Sequence, residues 1–167
     1  MRKDHRVNVD RLRGAGMGLQ FGVPIAGLSY RARPTAFGLM VREGRLACVR
    51  VDRGEGSYYD LPGGAVDGDE TERQALVREF IEETGLTARP GDRLGEAGQY
   101  FLKSDGQAIN NLAGFWTVSL IHEDPSAKVE DDHELHWLDP YFALANLRHD
   151  AHAWAVALWL RSRGSVE

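Results

Sequence analysis

Two compact apolar runs, residues 36–41 and 45–51, are separated by Arg42-Glu43-Gly44. Short apolar runs around a charged glycine turn predict a β-hairpin. Residues 58–61 form a short strand candidate, which Pro62-Gly63-Gly64 stops. The strongest helix pattern covers 71–84. Thr71 with Gln74 three residues on reads as a capping box, and Gly85 suits the left-handed position that ends a helix. Further strands are expected over 94–102 and 109–121, parted by the turn signal Ser104-Asp105-Gly106. An acidic loop, 123–132, precedes another strand at 133–138. Asp139-Pro140 places an N-cap before a proline at the first helical position, so a short helix starts there. The last helix runs over about 150–163, with Ala151, Trp154, Ala155 and Leu158 on one face and Gly164 as its stop. Residues 1–30 show no clear period and read as an irregular arm. Residues 31–167 read as one α/β domain, with no repeat or linker dividing them.

Composition narrows the function classes. At 167 residues, 43% hydrophobic and 27% charged, the chain suits one ordinary globular domain. A net charge of −5 argues against DNA or RNA duplex binding, which needs a basic surface. The single cysteine, Cys48, lies in an apolar strand-like run and is expected to be a small buried hydrophobe. The charged first residues are followed by no apolar stretch, and no apolar run is long enough to span a bilayer. A cytoplasmic protein without membrane attachment is the expectation.

The candidate chemistry lies on the helix over 71–84. Glu79, Glu82 and Glu83 are spaced i, i+3 and i+4, so all three share one face. Like charges so placed repel, which costs the helix a few tenths of a kcal/mol per pair. Hard divalent cations bound through oxygen would offset that repulsion. The glycine corner just before the helix lets backbone approach a ligand closely. Strand, glycine turn, capped helix and carboxylate cluster together describe a cup for cations with one open side.

Gly64, Glu70, Arg78-Glu79, Glu82-Glu83 and Gly85-Leu86 resemble the Nudix box, G-x5-E-x7-R-E-U-x-E-E-x-G-U, where U is a bulky aliphatic residue. Phe80 departs from it, standing where the pattern prefers Ile, Leu or Val. The resemblance covers about residues 31–160. It implies an α/β/α sandwich with a mixed, partly barrel-like sheet. The implied activity is magnesium-dependent cleavage of the diphosphate linkage of a nucleoside diphosphate derivative or nucleoside triphosphate, with Mn2+ able to substitute. Glu79, Glu82 and Glu83 would bind the metal together with the Gly63 carbonyl. Glu70 and Arg78 would pair and tie the loop to the helix. The general base in this family varies in place; Glu130 and Asp131 are the candidates favoured here over Glu134. A homodimer is expected at the level of the family.

Outside the box the candidates are thinner. Tyr58, Tyr59 and Tyr100 are possible stacking partners for a base, with Tyr59 and Tyr100 preferred. Arg31, Arg33, Arg50 and Arg53 flank the first strands and offer forks for phosphate, Arg50 foremost. His133 and His136 should face opposite sides of a strand, and His149 and His152 lack a third ligand, so no histidine metal site is expected. The features expected of ADP-ribose and dinucleoside-polyphosphate hydrolases are missing: no proline lies between Pro90 and Pro125, and Tyr100 comes too early. A nucleotide-sensing module and an isopentenyl-diphosphate isomerase are the rival readings. The intact box glutamates oppose the first, and the position of Cys48 opposes the second.

Overall fold

The computed structural model describes residues 19–163. The expected Gly164 helix stop and the first 18 residues of the arm lie outside them. Eight strands and three helices follow one another: β1 (Leu19–Phe21), β2 (Arg31–Arg42), β3 (Arg45–Asp52), β4 (Ser57–Asp60), β5 (Gly63–Ala65), α1 (Glu72–Thr84), β6 (Leu86–Leu102), β7 (Ala108–Glu123), β8 (His133–Leu138), α2 (Pro140–Asn146) and α3 (Asp150–Arg163). The sheet order is β1-β6-β7-β2-β3-β4, with β5 also on β2 and β8 also on β3. Pairs β1–β6 and β2–β7 are parallel and the others antiparallel. The predicted hairpin β2–β3 is paired only beside its turn, at Val41↔Leu46 and Arg42↔Arg45. Beyond that point β2 turns to β5 and β7, and β3 to β4 and β8. The sheet is therefore mixed and does not close into a barrel.

Both faces of the sheet are covered, which explains why its central strands read as nearly unbroken apolar runs. On β2, Phe37 and Leu39 join a core with α3, whereas Ala36 and Met40 join a second core with α1. On β3, Leu46 and Cys48 belong to the first core and Ala47 to the second. This is the alternation a strand imposes. Burial pushes the Cys48 thiol up to about 12, so it is an inert packing group, as expected. Phe80, the departure from the box pattern, is fully buried in the α1 core. Gly38 makes the room: a Cβ there would lie 2.6 Å from the Phe80 ring. The larger side chain is matched by a missing one on the facing strand.

The structure departs from expectation in four places. Strand β6 starts at Leu86, not near 94, because bulges carry it past Pro90 and Gly91: the register shifts between Thr87 and Ala88, Pro90 and Arg93, and Arg93 and Gly95. The glycine corner is itself a strand, β5, with Gly63 opposite Phe37. Part of the arm is regular, since β1 pairs with β6. The buried stripe of α3 is Ala151, His152, Ala155, Val156 and Trp159, rotated from the predicted face, with Trp154 and Leu158 only half-buried.

Two histidines at the start of this segment, His149 and His152, are buried. The Leu61 amide donates to His152 Nδ1 at 3.2 Å, and the His149 and His152 rings meet edge to face at 5.3 Å. Burial depresses both pKa values, that of His149 to about 3 from 6.5. Above pH 6.5 both states are neutral at His149 and nothing is lost. As pH falls toward 3, the unfolded chain binds a proton that the folded one refuses, so stability drops. His149→Gln removes that liability. Relative to the parent it should therefore gain about 1.4 kcal/mol per pH unit below 6.5. Urea melts of both proteins at pH 7, 6 and 5 measure the gap; a gap independent of pH would contradict it.

Candidate active site

Helix α1 is fixed at both ends. Gln74 N donates to Thr71 Oγ1 at 3.2 Å, and Thr71 N to Gln74 Oε1 at 2.9 Å, the capping box predicted. Gly85 closes the helix at φ 74°, donating to Ile81 O. The first turn is tied to the sheet: Trp116 Nε1 donates to Glu72 Oε2 at 2.6 Å, and Arg93 grips the same carboxylate. The helix thus presents its glutamates at a set depth.

Glu83 is 4% exposed, a deeply buried carboxylate. The amide of Gly63 donates to its Oε1 at 3.3 Å. Glu79 points at the glycine corner, where a Cβ on Gly64 would lie 2.7 Å from its carboxylate. Arg78 is the hub of the loop. Its guanidinium reaches Glu70 at 2.7 and 3.0 Å, Glu79 at 2.8 Å, Glu82 at 3.3 Å and the Ala65 carbonyl at 2.9 Å. The predicted Glu70–Arg78 pair is thereby present. Bonds from Arg78 and from the Asp67 amide hold the Glu70 carboxyl at about 2.

The acidic loop closes the other side. Glu82 O, in the last turn of α1, accepts the amides of Val129 at 2.9 Å and Glu130 at 3.0 Å. Of the two predicted bases, Glu130 acts electrostatically on Glu79 and Glu83, and Asp131 is exposed. His133 Nδ1 lies 2.7 Å from Asp132 Oδ1, and its Nε2 lies 3.7 Å from Glu83 Oε2. Glu130, Asp132 and His133 offer ligand atoms within 4.8 Å of one another. His133 reaches Glu83 from β8, which pairs with β3 so that His133 stands opposite Val51.

Electrostatically the centre is short of positive charge. Burial raises the Glu83 pKa well above the ordinary value, and Glu79, Asp60 and Glu130 add to the rise, against the Gly63 hydrogen bond. Burial also raises Glu79, countered by Arg78 and reinforced by Glu82 and Glu130. Asp60 is pushed up to about 6 by burial, against the pull of Arg148. Several carboxylates in one buried place, with Arg78 serving only part of them, are a donor set suited to a hard divalent cation.

Beside this centre lies a cavity of about 500 Å³ whose walls include Arg33, Arg53, Tyr58, Phe101, Lys103 and Arg148. The residues predicted to bind substrate lie elsewhere. Arg50 bonds Ser57 Oγ at 3.0 Å. Tyr59 packs on His136 and Phe142, and Tyr100 on Tyr30. Their neighbours Tyr58 and Phe101 line the cavity instead, because adjacent strand residues face opposite sides. The aromatic signal was in the sequence, but the face was not.

Comparison with known proteins agrees with this geometry. The NUDIX domain family model matches residues 32–160, and the chain belongs to the Nudix family. A segment of 87 residues is 38% identical to the putative 8-oxo-dGTP diphosphatase 3 of Mycobacterium tuberculosis, covering 47% of this chain and 39% of that protein. A 60-residue segment is 38% identical to the putative 8-oxo-dGTP diphosphatase of Bacillus subtilis, covering 36% of this chain and 40% of that one. The chain thus matches about two-fifths of the length of these curated relatives. A NUDIX hydrolase from Nitrosomonas europaea has the same fold, with a TM-score of 0.67 at 20% identity over 79% of this chain and 90% of that one. A MutT NUDIX hydrolase from Burkholderia pseudomallei aligns with a TM-score of 0.55 at 26% identity, over 77% of this chain and 98% of that one.

Proposed function

We propose that this protein is a divalent-metal-dependent hydrolase that cleaves the diphosphate linkage of a nucleoside triphosphate or nucleoside diphosphate derivative. The observation that carries the reading is the buried Glu83 carboxylate, surrounded by Glu79, Asp60 and Glu130. Among the described residues its ion-pair contact is His133, at 3.7 Å. A fold does not keep such a group without a cationic partner at reasonable cost. Glu79, Glu82 and Glu83 would hold Mg2+ or Mn2+, with the Gly63 carbonyl beside them. Such ions, when bound, neutralise a diphosphate and make a coordinated water acidic.

The chain's own residues do the rest. Arg78 holds Glu79 and Glu82 in place and leaves Glu83 free of guanidinium. Glu130, whose amide is tethered to Glu82 O, would take the proton of the attacking water, in preference to Asp131. Asp132 fixes the His133 ring against Glu83. The likeness to relatives named as putative 8-oxo-dGTP diphosphatases supports a nucleotide substrate.

A screen of nucleoside triphosphates and nucleoside diphosphate derivatives with Mg2+ or Mn2+, read as mononucleotide release by chromatography, tests this. Turnover should appear with either metal and vanish in excess EDTA. Tight binding of a nucleotide with no cleavage of any compound would replace the hydrolase by a sensor.

A further inference from the structure

The ring of His133, the first residue of β8, is set between two carboxylates. Its Nδ1 lies 2.7 Å from Asp132 Oδ1, and its Nε2 lies 3.7 Å from Glu83 Oε2. The side chain is only 13% exposed. Its backbone is held as well: His133 N donates to Glu130 O at 3.2 Å, and Asp52 N donates to Asp132 O at 3.0 Å. Arg53 Nε, 3.5 Å from Asp132 Oδ2, steadies that carboxylate from its other side.

The two ring nitrogens have different surroundings. An ionised carboxylate only accepts hydrogen bonds, so the Nδ1 that faces Asp132 carries the proton. In the neutral ring Nε2 then presents a lone pair. That lone pair faces Glu83 Oε2, itself an acceptor, and at 3.7 Å no hydrogen bond joins them. Two acceptors opposed in a buried place are unfavourable unless something positive lies between them. A histidine that gives one ring N–H to a carboxylate and frees its other nitrogen is the arrangement of metal-binding histidines, because the carboxylate sets the tautomer and makes the ring a better donor of electrons. The spacing permits it. Two atoms each about 2.1 Å from one ion are at most about 4.2 Å apart, and this pair is closer.

The loop carries a competing arrangement, since Glu130, Asp132 and His133 also offer ligand atoms near one another. There it is Nδ1 that lies near both carboxylates, 4.0 Å from Glu130 and 2.7 Å from Asp132, and Nδ1 is the nitrogen already bonded.

The geometry points to His133 Nε2 as a nitrogen ligand of the divalent ion held by Glu83, with Asp132 as the residue that orients the ring. The inference rests on the metal-dependent reading proposed above and adds a metal preference to it. A nitrogen among the oxygens favours first-row transition ions such as Mn2+ over Mg2+, which prefers oxygen ligands alone.

Electron spin-echo envelope modulation of the Mn2+-loaded protein reads the ligand directly, with no substrate present. The parent should show nitrogen coupling from an imidazole. His133→Gln puts an oxygen where Nε2 stood. It should lose the coupling and bind Mn2+ about tenfold more weakly in calorimetric titration, while its Mg2+ affinity changes little. Asp132→Asn should keep the coupling and weaken Mn2+ binding about tenfold, the loss expected when a ligand's orienting partner goes. His136→Gln is the control: that ring sits 3.1 Å from Glu134, and its loss should leave the coupling intact. Mn2+ bound without nitrogen coupling in the parent would overturn the inference and leave the hydrolase reading standing, with His133 reduced to an ion-pair partner of Glu83. Coupling retained in His133→Gln would overturn it too. So would coupling and Mn2+ affinity both unchanged in Glu83→Gln, which would put the ion in the loop trio. A parent that binds neither Mn2+ nor Mg2+ would sink both the inference and the hydrolase reading.

Discussion

Glu83→Gln should lose at least about two orders of magnitude in turnover, because it removes a charge from the place where metal-centred stabilisation is needed. It should do so without loss of fold. Gln keeps an oxygen for the Gly63 amide, which now donates to Glu83 Oε1. It also relieves the crowding by Glu79, Asp60 and Glu130 that raises the Glu83 pKa. The metal-free variant should therefore melt no lower than the parent, a trade of stability against activity. Initial rates with saturating Mg2+, beside thermal melts in EDTA, measure both. Near-normal turnover would take Glu83 out of the metal site, and a much lower melting temperature would mean that the loss of activity reports on folding.

The two glycines of the corner should fail in different ways. Gly63 has φ +144°, and a Cβ there would lie 2.1 Å from the Ala36 carbonyl and 2.7 Å from Phe37 Cα. Backbone cannot yield there without parting β5 from β2, so Gly63→Ala should cost about 3 kcal/mol or more. For a chain of this size that is a fall of roughly 6–12 °C in Tm. At Gly64 the added Cβ meets the Glu79 carboxylate at 2.7 Å, the tip of a flexible side chain. Gly64→Ala should therefore change stability by less than about 1 kcal/mol. It should still lower turnover by about tenfold or more, since a misplaced carboxylate costs far more in rate than in folding. Denaturation curves and initial rates on the pair separate the two effects. Equal stability losses would mean that the corner acts only as a structural joint.

What the sequence made legible was local. The capping box at Thr71, the stop at Gly85 and the shared face of Glu79, Glu82 and Glu83 depend on spacing within one helix, and the Glu70–Arg78 pair followed from the resemblance to the Nudix box. Positions that depend on register were not legible. His133 comes over Glu83 only because β8 pairs with β3, and Tyr58 rather than Tyr59 lines the cavity because strand residues alternate. The strand expected from about 94 in fact begins at Leu86, because bulges carry β6 through Pro90 and Gly91. The face of α3 was missed by one residue because His152, polar in any pattern, is buried with its Nδ1 bonded to the Leu61 amide.

The anchoring of the acidic loop sets a limit on how this chain can vary. Asp124 N is fastened to Gly85 O, and Glu130 N to Glu82 O, so both ends of the intervening segment are pinned to the same helix terminus. A one-residue insertion between them would swing the Glu130 carboxylate away even though every box residue remained. The length of this segment is thus held as tightly by α1 as the box residues that lie on the helix.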